Sequence, residues 1–94
     1  MKGYEIDFKD CKTYWDMYER IIAGMDFPMW CGKNPDALWD MLSSHIRTPA
    51  VIYLKGIDDL PKALDEQKGI ILEIFARMHE WYKEIGEYVE IKNG

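Results

Sequence analysis

With 94 residues, 48% of them hydrophobic and 31% charged, the chain has room for one domain and the composition of a globular protein rather than a disordered one. Its 17 acids against 12 bases leave a net charge of −5. That argues against direct nucleic-acid binding, which needs a basic stripe to neutralise phosphates, and favours a basic partner. The longest apolar run, Ala50 to Leu54, is far too short to span a membrane. Met1 to Phe8 lacks the apolar segment of a secretory signal, so a cytoplasmic protein is expected. Cys11 and Cys31 are too few for a disulfide framework and are expected to stay reduced there.

Tyr4, Ile6 and Phe8 alternate with Glu5 and Asp7, the pattern of a strand with one wet face. Thr13 to about Met25 reads as a helix, with Tyr14, Tyr18, Ile21, Ile22 and Met25 at helical spacing on a core face. Thr13 and Asp16 form a weak version of a capping box, and Gly24 and Pro28 stop the helix. A second helix starts at Asn34-Pro35. The run Ala50-Val51-Ile52-Tyr53-Leu54 is apolar throughout, which predicts a central strand with little solvent on either face. A turn at Lys55-Gly56 leads to a predicted short helix near Asp59–Glu66, capped by Asp59. From about Lys68 to Ile85, residues Ile70, Ile71, Ile74, Phe75, Met78, Trp81, Tyr82 and Ile85 share one helix face. Glu73, Arg77, Glu80 and Glu84 lie on the other, with Glu73 and Arg77 at the spacing of an ion pair. Gly86 ends that helix, and Tyr88 to Lys92 alternates as a last strand. No repeat or linker divides residues 1–94, so a single domain is expected.

Strands separated by helical crossovers imply parallel neighbours. The predicted fold is α/β: a small three-stranded parallel sheet in order 1-2-3, joined by right-handed crossovers and packed by three to four helices.

The segment from Trp30 to Ser44 is the most informative. Asn34 is a favoured N-cap, Pro35 suits the first helical position, and Asp36 complements the helix dipole in the first turn. On a helical wheel Ala37, Leu38, Met41, Leu42 and His45 gather on the core side; Asp36, Asp40, Ser43 and Ser44 gather opposite. Trp39 falls at the border, beside Asp40 and near a loop that carries Trp30. An aromatic ring beside two carboxylates has the chemistry of a protein-binding hot spot. The same residues also serve a plainer purpose, since a border tryptophan can complete a core and acids near an N-terminus can stabilise only their own helix.

Trp30-Cys31-Gly32-Lys33-Asn34-Pro35-Asp36-Ala37-Leu38-Trp39-Asp40 resembles the aromatic-x-Gly-x-Asn-x-Asp-Ala-Leu-Trp-Asp motif of barstar, a family of small bacterial inhibitors of a secreted ribonuclease. Every fixed position is filled, and the order of elements matches over nearly the whole chain. The resemblance implies an intracellular immunity protein, acting as a monomer, that occludes the active site of a basic secreted nuclease. That partner would be a barnase-like ribonuclease or a related toxin. Carried over by position, Asp40 would mimic substrate phosphate with Asp36 beside it, Trp30 would be an aromatic anchor, and Gly32 and Asn34 would shape the loop. Trp39 would support the loop and share the contact surface, together with Ser44, His45, Arg77 and Glu80. Pro35, Ser44, His45 and Arg77 depart from the best-known pattern, Arg77 standing where an acid is found. The rival reading is therefore a barstar-like module for another toxin or a regulatory partner.

Catalysis has thin support in the residues themselves. Cys31 and His45 could pair as thiol and imidazole, and Cys11, Cys31, His45 and His79 supply the atom types of a zinc site. Their spacing matches no short ligand pair, Gly32 reads as an isolated turn glycine with unusual backbone angles, and Asp36 and Asp40, both near an exposed helix N-terminus, read as an acidic recognition patch rather than an acid–base pair. No enzyme activity, metal or cofactor is expected.

Overall fold

The computed structural model describes residues 1–93. Strand β1 (Lys2–Asp7) is followed by helices α1 (Tyr14–Gly24) and α2 (Pro35–Ser44), strand β2 (Ala50–Lys55), helix α3 (Asp65–Glu84) and strand β3 (Val89–Asn93). The sheet is parallel in order β1-β2-β3, with Lys2 opposite Ala50 and Ala50 opposite Val89. This is the α/β fold expected from the sequence.

That strand order decides which face of the sheet is covered. Successive crossovers of one hand, each moving one strand further in the same direction, put all their helices on the same face of the sheet. Tyr4, Ile6, Ala50, Ile52, Leu54 and Val89 point into the core on that face, and all are buried. Gly3, Glu5, Tyr53, Lys55 and Lys92 occupy the other face and are exposed. β2 is thus covered on one side only, contrary to the expectation of a doubly buried strand. Tyr53 is 41% exposed and packs under the Lys92 ammonium rather than in the core. Lys55 meets Glu5 across the strands at 3.6 Å.

The helix ends follow local rules. The Thr13–Asp16 capping box forms: Asp16 N–H donates to Thr13 Oγ1 at 3.2 Å, and Thr13 N–H donates to Asp16 Oδ2 at 3.1 Å. The Lys12 N–H, which donates to Asp16 Oδ2 at 2.9 Å, and the Thr13 N–H hold the Asp16 carboxyl below its ordinary pKa. Tyr14, expected in the core, lies at this exposed first turn with its ring edge-on to Trp15. Both α1 and α3 close in Schellman motifs. Phe27 N–H reaches Ile22 O behind Asp26 at φ 58°, and Glu87 N–H reaches Tyr82 O behind Gly86 at φ 81°. Ile85 follows the last turn of α3 and is exposed, not part of its buried face.

The predicted short helix near Asp59–Glu66 does not exist as a unit. Pro61 lacks the N–H that would continue a helix, and the segment divides into two single 3₁₀ turns, Ile57–Asp59 and Lys62–Leu64. Asp59 closes the first of these instead of capping a helix, and α3 begins directly at Asp65.

Gly24, the last residue of α1, is required by the close approach of the helix to β1. A Cβ there would strike the Glu5 carbonyl and come within 2.9 Å of Ile6 Cα, so only a glycine lets α1 lie against β1. Gly24→Ala is expected to cost about 1–3 kcal/mol, the range for forced overpacking. Gly3→Ala, on the open face with nothing within 4 Å of the new methyl, should be nearly neutral. Urea denaturation of both variants checks the contrast, and equal stabilities would remove the close-packing account of Gly24.

Candidate functional site: the exposed face of α2 and its flanks

The helix start is built as its residues dictate. Asn34 is extended at φ −152°, its side-chain oxygen accepts the Ala37 N–H at 2.8 Å, and Pro35 occupies the first turn. Leu38, Met41 and Leu42 are buried, which fixes the orientation of the helix and leaves Asp36 and Asp40 exposed one turn apart. Gly32 has no left-handed φ, contrary to expectation. Its role is close approach: a Cβ would lie 3.0 Å from Ala37 Cβ and 3.1 Å from Asn34 Nδ2, so the loop folds directly over the helix start. The turn before it is closed by Cys31 N–H donating to Pro28 O at 3.0 Å. Cys31 is buried under that turn, while Met29 and Trp30 stand 95% and 76% exposed beside it.

Trp39 is half-buried between α2 and α3. Its ring is edge-on to Trp81 with centroids 6.1 Å apart, and the Arg77 guanidinium lies over it at 4.7 Å. Trp39, Arg77, Glu80 and Trp81 line a shallow groove between the two helices, together with Glu73 and Glu84. The expected Glu73–Arg77 ion pair is absent: among the described residues Arg77 has no carboxylate within 4.0 Å. Stacking on an indole face takes its place, since the stem of Arg77 covers apolar surface while its charge faces the ring. Trp81, counted with the core in the sequence, is half-buried and belongs to this groove as well. The sequence signal was its position one turn beyond Arg77.

At the other end of α2, His45 is the C-cap and is exposed, not on the core side. The wheel fails there because the helix ends at Ser44 and the backbone of His45 leaves the helical path. Ser44 Oγ lies 2.7 Å from His45 Nδ1 and also donates to the Asp40 carbonyl. The Leu42 carbonyl, one of the last-turn acceptors, receives the Tyr82 hydroxyl at 2.7 Å. α2 is therefore capped by a side chain at one end and held by α3 at the other. Trp15 is half exposed at the start of α1 and is joined to the motif loop by Lys33, whose ammonium is 5.4 Å from its ring centroid.

Burial is the main influence on the Cys31 thiol and pushes its pKa up, against a smaller opposing pull from Lys33. A thiol so protected is a poor nucleophile. Among the described residues, no group of three His, Cys, Asp or Glu is placed to hold a metal ion, and no helix is long and apolar enough to cross a membrane.

A small parallel sheet with helices on one face, presenting a capped acidic helix start, places the chain among small α/β domains. The family model described as Barstar (barnase inhibitor) matches residues 1–92, and the chain belongs to the barstar family. It is 27% identical over 84 residues to "Putative ribonuclease inhibitor YrdF" of Bacillus subtilis (strain 168), covering 89% of this chain and 92% of that protein. Proteins of this family are inhibitors rather than enzymes.

Asn34→Ala should cost about 1 kcal/mol by removing the N-cap acceptor, with Asn34→Asp retaining most of it. Urea denaturation measures both. An Ala variant as stable as the native chain would mean the cap does not hold the helix start.

Proposed function

We propose that the protein inhibits a basic secreted ribonuclease, protecting the cytoplasm of the cell that makes it. The face of α2 enters the enzyme's substrate cleft. Asp40 stands where an RNA phosphate would lie, Asp36 beside it, and Trp30 anchors the preceding loop. Gly32 and Asn34 hold that loop on the helix start, while Trp39, Ser44, His45, Arg77 and Glu80 complete the contact. The observation that carries this reading is the exposure of both carboxylates of the family motif on a helix whose opposite face is buried. Carboxylates set against the guanidinium and ammonium groups of a nuclease form charge-assisted hydrogen bonds, stronger than neutral ones. A net charge of −5 adds attraction at a distance toward a basic enzyme.

The cationic side chain of Arg77 on this same surface supports a second reading, a barstar-like module whose target is another toxin or a regulatory protein. The two readings separate in one assay, the inhibition of RNA cleavage by barnase with the purified protein. Inhibition that competes with substrate supports the first; a folded protein that inhibits at no concentration, even with Arg77 replaced, supports the second.

Asp40→Ala should weaken inhibition by about 2 kcal/mol or more, as truncation of a central contact does, and change stability by about 0.5 kcal/mol or less. A fall in melting temperature at unchanged inhibition would make Asp40 a structural residue. Association with the nuclease, followed by stopped flow, should slow steeply with added salt as charges become screened beyond a Debye length of about 8 Å. A rate independent of salt would leave the acidic surface with no part in encounter.

A further inference from the structure

The polar side chains around α2 do not share one sign. Asp36 and Asp40 are exposed along the helix, yet Arg77 is pinned against Trp39, the residue between them and α3. Three glutamates, Glu73, Glu80 and Glu84, line the same groove, and none forms an ion pair with Arg77 within 4.0 Å among the described residues. An exposed arginine usually gives up a fixed geometry to conformational freedom. Here the indole face holds the guanidinium in place while leaving its N–H edge unpaired with any carboxylate. The result is a fixed positive charge at the border of an acidic surface.

We propose that Arg77, held by Trp39, is a specificity residue. It selects against nucleases that present a cation beside the substrate cleft and favours one that presents a carboxylate there. This rests on α2 being the inhibitory face. A cleft that grips a polyanion is edged with lysine and arginine, so most basic ribonucleases oppose Arg77 with like charge. Such a contact costs affinity without disturbing the fold. A carboxylate at that point of the partner instead meets the planar, bidentate fork that arginine offers. The partner surface complementary to this protein is therefore bipolar, a cationic cleft with an acidic rim on the α3 side.

The test uses barnase as the probe and compares the native chain with Arg77→Gln, which keeps an apolar stem without the charge, and Arg77→Glu. Asp40→Ala is made in the native and Arg77→Glu backgrounds, and urea unfolding verifies that each variant is folded. Inhibition should tighten several-fold in Arg77→Gln and about tenfold or more in Arg77→Glu, with Asp40→Ala weakening it in both backgrounds. If Asp40→Ala weakens inhibition while both Arg77 variants stay within about twofold of native or weaken, Arg77 is not a selector and the inhibitory face stands without it. A folded native chain that does not inhibit, and whose Arg77→Glu form does not either, overturns the proposal too. If inhibition occurs but Asp40→Ala leaves it unchanged, α2 is not the inhibitory face and the proposal falls with that reading.

Discussion

Everything the exposed surface offers depends on α2 being held at both ends by polar groups from outside its own backbone ladder. A helix of 10 residues in isolation would be marginal in water, because its first N–H and last C=O groups lack intrahelical partners. Asn34 satisfies a donor at the start and Tyr82 an acceptor at the end. The second bond ties α2 to α3, whose buried residues Ile71, Ile74, Phe75 and Met78 belong to the central core. Trp39 adds apolar contact along the same seam. The carboxylates of Asp36 and Asp40 thus project from a helix that is already in place. For the proposed nuclease contact this leaves less ordering to be done on binding, so that more of the interaction energy would go into affinity.

The loop before α2 works on the same economy of motion. Gly32 brings the chain against Ala37 and Asn34, and the Cys31 side chain is buried beneath the turn. Met29 and Trp30 consequently stand out from a supported loop. Large exposed apolar side chains cost solubility, a cost that the proposed nuclease contact would relieve by covering them.

Much of this was legible in residue order because the local rules and the global fold agree. The parallel sheet follows from strands divided by helices; Asn34-Pro35 and Thr13-Asp16 start their helices where they stand; Gly86 ends α3 in a left-handed turn. What failed did so where a tertiary fact overrode a local pattern. Tyr53 is exposed because both crossovers place their helices on one face, which no single strand can announce. Tyr14 and Ile85 have the spacing of core residues but fall at helix termini, where the stripe runs off the packed surface. Arg77 has a glutamate at ion-pair spacing and an indole across the interhelical seam; the second lies in another element, so only the fold reveals it. The carboxylates of the candidate site were readable from a motif at unbroken spacing, whereas the groove that Trp81 shares with Trp39 required the helices to be packed.

The one-sided sheet leaves the molecule with a back. Gly3, Glu5, Tyr53 and Lys55 form a surface turned away from the helices, and the space around Gly3 is empty within 4 Å of where a side chain would begin. A reporter group attached through a cysteine at position 3 would sit across the sheet from α2 and clear of its carboxylates. The two native thiols, Cys11 and Cys31, are buried and held protonated by that burial, so alkylation at neutral pH would favour the introduced one. The fold therefore permits immobilisation or fluorescent tagging from behind while the exposed face of α2 stays open.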